Sequence, residues 1–330
     1  MFEEICIEFI IAGVSSFALT AILSRCIIPI LMAKKAGQPI REEGPKSHYS
    51  KAGTPTMGGI AFIMAIAIVL MGMTLWYAFA KKQSELIPMA LTMALAVMNG
   101  MIGFVDDYKK LVKKQNEGLS AKQKFLLQLV AAIAYVVLLK LVGHVNTTLH
   151  IPFTEITVEL GIVYYIFSVI LIVGIVNSVN LTDGLDGLAS TVTLVVSVFF
   201  AAVALTTLNA SLSLISAVVI GAMLGFLIYN HHPAKVFMGD TGSLFLGGAV
   251  VGAAFLINEP IIILIAGGIY VFETVSVMLQ VFSYKTFHKR IFQCSPFHHH
   301  LEQCGWSEVK IVAVFSIVTA LLCAVAWFGI

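Results

Sequence analysis

The sequence predicts an all-α integral membrane protein of about ten transmembrane helices, and three observations predict it. Of the 330 residues 59% are hydrophobic and only 12% are charged, whereas a soluble domain carries about a quarter of its residues charged. The apolar runs approach the roughly 20 residues that cross a bilayer as a helix. The short alternating segments of a membrane β-barrel are not there. A mean hydropathy of +0.95 agrees. The chain reads as one polytopic domain, 1–330, without a soluble domain or an internal repeat. Its first partner is therefore the lipid bilayer, and the net charge of +2 gives no reason to expect a nucleic acid.

The expected spans are 5–33, 58–80, 87–105, 123–143, 160–179, 188–207, 211–230, 243–257, 260–284 and 308–329. The first begins Met-Phe-Glu-Glu, with no basic leader and too long an apolar run for a cleaved signal, so it is read as a membrane helix. The third ends at Asp106-Asp107. Between the fourth and fifth, residues 144–159 alternate Thr, Ile, Phe and Val and suit a small hairpin. The fifth and sixth are separated by a polar interruption that runs from Asn177 to Leu188. The eighth is short, opens after Gly239-Asp240-Thr241-Gly242-Ser243 and is closely followed by Pro260. The ninth is long and carries Gly267-Gly268 and Glu273, so a tilted, bent or partly re-entrant helix is expected. Five scattered cysteines (Cys6, Cys26, Cys294, Cys304, Cys323) do not form a disulfide framework.

Lysine and arginine placement gives the orientation. Loops after odd-numbered spans hold Lys34, Lys35, Arg41, Lys46, Lys51, Lys109, Lys110, Lys113, Lys114, Lys122, Lys124, Lys235, Lys285, Lys289, Arg290 and Lys310. The other side holds only Lys81, Lys82 and Lys140, and Arg25 sits within the first span. Odd loops are thus expected in the cytoplasm and both termini outside. All five aspartates (Asp106, Asp107, Asp183, Asp186, Asp240) then fall on the cytoplasmic face, with His48, His231, His232, His288, His298, His299 and His300.

Charges at membrane depth cost several kcal/mol or more and are retained where function holds them. Carboxylates at helix ends are hard oxygen ligands that suit Mg²⁺ together with substrate phosphates. Lys109 and Lys110 can hold phosphate as point charges. The opening of the eighth span offers a helix N-terminus to an anion. Together these describe phosphoryl transfer, with a lipid as one substrate. Bland alternatives stand beside it. Asp106-Asp107 could be a solvated helix boundary, and Asp183-Gly-Leu-Asp186 a turn followed by a cap. The triplet His298–His300 could be a solvated basic loop, or a zinc cluster with Cys294 and Cys304, although zinc ligands usually pair more closely in sequence. Lys113-Lys114 fits ordinary inside-positive charge, and the role of Glu273 stays open. An ion-coupled transporter would also carry intramembrane carboxylates, but nearer the midplane.

The motifs Lys51-Ala-Gly-Thr-Pro-Thr56-Met-Gly-Gly59, Gly103-Phe-Val-Asp-Asp107, Gly118-Leu-Ser-Ala-Lys122, Asn180-Leu-Thr-Asp-Gly-Leu-Asp-Gly-Leu-Ala189, Phe237-Met-Gly-Asp-Thr-Gly-Ser243 and Ser295-Pro-Phe-His-His-His-Leu-Glu302 carry a resemblance over essentially the whole chain. The sequence resembles the polyprenyl-phosphate N-acetylhexosamine-1-phosphate transferases. The three consecutive histidines mark the muramoyl-pentapeptide branch rather than the N-acetylglucosamine-phosphate branch. The resemblance implies that undecaprenyl phosphate attacks UDP-N-acetylmuramoyl-pentapeptide to give lipid I and UMP, the first membrane step of peptidoglycan synthesis. It also implies Mg²⁺ dependence and a homodimer in the bacterial plasma membrane. By the same resemblance Asp240, with Asp183, holds the metal, and Asp106 and Asp107 handle the lipid phosphate. Lys51, Gly184, Leu185, Asp186 and Phe237 form the uridine pocket, with Thr56 in the first motif beside it. Lys110, Lys122, Asn180 and Asp183 surround the diphosphate and ribose, with Asn177 one turn away. Asn230, His298, His299 and His300 lie nearer the sugar and peptide. A lipid groove runs beside the ninth span.

Overall fold

A computed structural model describes residues 2–34, 51, 53–79, 86–113 and 118–330, and of Leu86 and Lys113 only the backbone. Lys35, Arg41, Lys46, His48, Lys81, Lys82 and Lys114 therefore lie outside the described residues. The helices are α1 (Phe2–Ala33), α2 (Gly59–Phe79), α3 (Leu86–Lys113), α4 (Ala121–Leu141), α5 (Ile162–Thr182), α6 (Leu188–Thr207), α7 (Ala210–Asn230), α8 (Gly239–Leu256), α9 (Ile262–Ala266), α10 (Gly268–Phe287), α11 (Phe297–Gln303) and α12 (Glu308–Trp327). Nine of those described are long and apolar enough to cross a membrane. Their outward residues, such as Ile10, Ile22, Leu75 and Ile170, are exposed and apolar, as lipid contact requires.

The expected ninth span is interrupted. Gly267 ends α9, its N–H donating to the Ile263 carbonyl at 2.8 Å, and α10 starts anew at Gly268. Paired glycines favour the break, and Glu273 within α10 has to be met by protein rather than lipid. The third span also differs: α3 runs on past residue 105 to Lys113, so Asp106 and Asp107 lie inside a helix, not after it. An i,i+4 ion pair between Asp106 and Lys110 supports that extension. Asp240 likewise falls in the first turn of α8 instead of before it.

Helix α8 is the centre of the bundle. It is buried along nearly its whole length and packs on α3 and α5. Gly247 lies against the Val176 backbone and Gly248 against Ala96, and small residues of this kind let membrane helices approach closely. Beside it, α1 runs parallel to α7, with Ser16 donating to the Val218 carbonyl and Tyr229 to that of Ala21. The expected hairpin forms as β1 (Thr148–His150) and β2 (Thr157–Glu159), antiparallel, with Leu149 opposite Val158. His150 stands 3.2 Å from Glu259 in the segment after α8, and Gly329 lies beside Pro152 and Phe153. The start of α1 and the end of α12 therefore share the hairpin end of the bundle. The aspartates share the other end.

Candidate functional site

Three helices bring the aspartates together. The C-terminal part of α3 supplies Asp106, Asp107 and Lys110, the first turn of α8 supplies Asp240, and α5 supplies Asn180. Gly103 lets this happen: the carbonyl of Asp240 occupies the space where a Cβ on residue 103 would stand. One oxygen from each of Asp106, Asp107 and Asp240 lies within 4.8 Å of the others. Such closely spaced negative charges repel strongly unless cations offset them.

The three carboxylates have different partners. Asp106 gives Oδ1 to the Leu119 N–H at 2.7 Å and Oδ2 to Lys110 at 2.6 Å. Asp107 accepts from the backbone N–H groups of Asp240 (3.3 Å) and Thr241 (2.9 Å) and from the Thr241 hydroxyl (2.7 Å). Asp107 is thus the anion at the N-terminus of α8, and the amides expected to receive a phosphate there are already used. Asp240 accepts at Oδ2 from Lys110 (3.1 Å) and Lys124 (2.9 Å), and at Oδ1 from Asn180 (2.8 Å). Asp106 and Asp107 are buried to 3% and 1%, whereas the Asp240 side chain keeps 19% exposure. Of the three, Asp240 is the one a ligand can reach.

Lys122, expected beside the diphosphate, is exposed and makes no ion pair with the cluster among the described residues. Lys124 is the lysine of α4 that reaches the acids, 2.9 Å from Asp240, and it also lies 3.4 Å from Asn180 Oδ1. Two residues along a helix turn a side chain by about 200°, so only one of the two lysines can face inward. The signal in the sequence was Gln128, one turn further on, which shares amide hydrogen bonds with Asn177. Asn177 thereby ties α4 to α5 and does not point to the acids.

Asp183 follows α5, half-buried, and among the described residues its carboxylate has no hydrogen-bond or ion-pair partner. Burial raises its pKa well above the usual carboxylate range, and the charges of Asp240, Asp107 and Asp186 push it further the same way. It lies outside the close trio but within the trio's field.

A second group lies on the same end. Lys51 Nζ stands 2.8 Å from Asp186 and 2.7 Å from Glu308. Asp186 also accepts from His232 (3.0 Å) and the Ala234 N–H (2.9 Å). Burial draws the Lys51 ammonium down, and hydrogen bonds to Asp186 and Glu308 outweigh it, so its pKa is raised. Asp186, His232 and Glu308 again offer three ligand atoms within 4.8 Å. Neither Glu308 nor His232 stood out in the sequence as a site residue.

The half-buried Phe237 is held at both ends, its N–H donating to the Pro55 carbonyl and its carbonyl accepting from the Gly58 N–H, each at 2.8 Å. Thr56 beside it has a buried hydroxyl without a partner among the described residues. Leu185 is core. Asn230 braces the turn after α7, accepting from Ser190 and donating to the Val236 carbonyl. The three histidines separate. His298 is fully buried, its Nδ1 3.2 Å from Glu273 and its Nε2 occupying the Cβ position of Gly184. A side chain at 184 would collide with it. His299 pairs with Glu302 at 2.6 Å. His300 accepts from the Gln293 N–H and packs near Phe292 and Phe297. Glu273, open in the sequence, is therefore the partner of His298.

The first acid group fits Mg²⁺: its donors are hard oxygens, the Asp240 carboxylate is partly open, and the Asp183 carboxylate close by has no partner among the described residues. In the second, Lys51 already stands where a cation would.

A profile for glycosyl transferase family 4 matches residues 89–258, and a phospho-N-acetylmuramoyl-pentapeptide-transferase signature matches residues 51–63. The chain is 45% identical over 316 residues to the phospho-N-acetylmuramoyl-pentapeptide-transferase of Clostridium botulinum, covering 95% of this chain and 94% of that one. It is 44% identical over 323 residues to the enzyme of that name from Bacillus subtilis, covering 98% and 97%. With the one from Staphylococcus carnosus it shares 43% over 323 residues, covering 97% and 99%.

Proposed function

The chain belongs to the phospho-N-acetylmuramoyl-pentapeptide-transferases of glycosyl transferase family 4, and from that premise we propose that it transfers phospho-N-acetylmuramoyl-pentapeptide from its UDP donor to undecaprenyl phosphate, giving lipid I and UMP. An oxygen of the lipid phosphate forms a bond to the donor's β-phosphorus. The bond from that phosphorus to the bridging oxygen breaks, and UMP leaves with the electron pair. The observation that carries this reading is the half-open Asp240 carboxylate, held by Lys110, Lys124 and Asn180 at the meeting of α3, α4, α5 and α8.

Asp240 would hold Mg²⁺, with Asp183 nearby, and the ion would neutralise charge on the diphosphate. Lys110 and Lys124 bind phosphate oxygens. Asp107 fixes the first turn of α8 and so the aim of Asp240. Asp106, with both oxygens engaged, sets Lys110 and the lipid phosphate for in-line attack. Phe237 stacks on uracil, and Lys51 and the turn 183–186 hold the uridine. His299 and His300 face the sugar and peptide, and His298 braces Gly184 from behind. The site faces the cytoplasm of a bacterial plasma membrane, both termini lie outside, the whole chain acts as one domain, and the protein works as a homodimer.

The test is a purified-protein assay that offers UDP-N-acetylmuramoyl-pentapeptide or UDP-N-acetylglucosamine with undecaprenyl phosphate and Mg²⁺, scoring UMP release. Release with the first donor alone is expected. Release only with the second would move the chain to the sister activity. Uptake of nucleotide sugar into sealed vesicles without lipid-linked product would indicate a transporter.

A further inference from the structure

We infer that Glu308 is a positioning residue for nucleoside recognition, acting through Lys51 and Asp186; the inference rests on the uridine donor of the reading above. Glu308 opens α12 directly after its N-cap, Ser307, whose hydroxyl accepts from the Lys310 N–H. An acid in a first turn ordinarily faces water and complements the helix dipole. Glu308 is instead buried to 8%. Its Oε2 accepts from Lys51 Nζ at 2.7 Å and from the Asp186 N–H at 3.2 Å.

The consequence lies in counting donors. An ammonium has three N–H groups and no acceptor. Lys51 gives one to Asp186 and one to Glu308, which leaves one. The Asp186 carboxylate is held from its other side by His232 and Ala234, so it cannot follow the lysine if the lysine moves. A lysine alone is a flexible point charge. Held between two buried, anchored carboxylates, it presents its last N–H in a fixed place, beside the turn that carries Gly184. That donor suits an oxygen acceptor of a pyrimidine nucleoside. Glu308 itself need not touch the ligand. Without it Lys51 keeps one anchor and regains its freedom, and the Asp186 backbone loses its acceptor.

Geometry also explains why this acid belongs to α12. Residues 304–307 alone separate Glu308 from the end of α11, and the Trp306 N–H donates back to the Leu301 carbonyl at 3.1 Å. The histidine helix and the lysine clamp therefore hang on the same short connection, so the two ends of the donor are recognised by parts that are tied together.

Calorimetric titration of the full-length protein with UMP tests this, alongside steady-state kinetics for both substrates. Glu308→Gln keeps an acceptor but loses the charge. It should weaken UMP binding about tenfold, equivalent to about 1.4 kcal/mol, and raise the donor KM with it, while the KM for undecaprenyl phosphate stays at the wild-type value. Glu308→Asp, which restores the charge at shorter reach, should fall between the two, and it carries the test if Glu308→Gln does not purify as a single species. Lys310→Ala, at an exposed cation over the Trp306 ring, should change neither constant. UMP affinity unchanged in the Glu308 variants, or equal rises in both KM values, would overturn the role. A wild-type protein that does not bind UMP would overturn the uridine donor itself.

Discussion

Two acid clusters lie at one end of the bundle, each with three ligand atoms inside 4.8 Å and each with lysine beside it, yet they are built for different ends. In the Asp186–His232–Glu308 group, Lys51 stands between two carboxylates at 2.8 and 2.7 Å, and those side chains are only 2% and 8% exposed. The cation is covalently part of the protein and closes the gap between its two carboxylates, while His232 at the edge keeps 41% exposure. In the Asp106–Asp107–Asp240 group, Lys110 bridges Asp106 at 2.6 Å and Asp240 at 3.1 Å, and Lys124 approaches the same Oδ2 of Asp240 at 2.9 Å. That carboxylate stays partly open, and Asp183, without a hydrogen-bond or ion-pair partner among the described residues, has its pKa raised by burial and by the charges of Asp240, Asp107 and Asp186. Proximity of acids is common to both groups and does not distinguish them. A lysine between two carboxylates is common to both as well; the difference is that the Asp240 side chain keeps 19% exposure, whereas the two carboxylates that hold Lys51 keep only 2% and 8%, so the proposed divalent ion and diphosphate would be met at Asp240.

The largest expected effect breaks the open cluster. Asp240→Asn should abolish UMP release at saturating substrate while the protein keeps its helical circular dichroism and its elution as a single species. Removing divalent ions with EDTA should do the same to the wild type, reversibly on adding Mg²⁺. The closed cluster gives the contrast: UMP binding measured in EDTA should persist, because Lys51 supplies its own charge. Full turnover in EDTA would remove the distinction between the two groups.

A smaller effect separates two lysines. Lys124→Ala should lower turnover by one to two decades, in line with about 1.5–3 kcal/mol for a hydrogen bond to a charged group. Lys122→Ala should stay near wild type. Equal losses would mean that both lysines reach the phosphates. This pair also marks how far the sequence could be read. The apolar runs, the convergence of five aspartates and the broken ninth span are legible because bilayer thickness and charge exclusion act on composition itself. Choosing Lys124 over Lys122 requires the phase of α4, which starts where polar residues still fall on every side. Glu308 was hidden for a different reason: an acid after a serine N-cap already has an ordinary explanation. Asp107 and His298 were named from the sequence, but the part of Asp107 at the start of α8 was hidden because its partners are backbone amides on another helix, and the burial of His298 because a histidine in a polar triplet looks solvated.

Phe237 lies between the clusters, five residues beyond His232 and three before Asp240. A base stacked on it could place its diphosphate at the open group while its uridine meets the closed one. Base stacking on an aromatic is worth about 1–3 kcal/mol, so Phe237→Ala should weaken UMP binding by about one to two decades. Unchanged affinity in calorimetry would separate the two clusters into unrelated sites.

The smallest expected effect is a slope, and it concerns Asp106. A carboxylate beside the attacking phosphate invites the role of general base. The acceptor is a phosphate monoester, however, whose second pKa lies near about 6, so at neutral pH it is mostly a dianion and already a nucleophile. A base would help only the minority that keeps a proton. Both Asp106 oxygens, moreover, are occupied, by the Leu119 N–H and by Lys110, and the residue is 3% exposed. Such a carboxylate is engaged in fixing a lysine, and a proton taken up there would oppose its pairing with Lys110. Asp106→Asn should therefore lose turnover because Lys110 loses the charge of its closer partner and keeps only the longer ion pair with Asp240, and the size of that loss should not depend on whether the lipid phosphate carries a proton. Measured between about pH 7 and pH 9 at saturating Mg²⁺, the ratio of wild-type to variant turnover should stay constant within about twofold, under 0.5 kcal/mol. An essential base predicts instead that the ratio shrinks steadily as the pH rises and the lipid phosphate loses its proton unaided. Clear alkaline recovery would make Asp106 the base, taking the proton on a lone pair that Leu119 and Lys110 leave free.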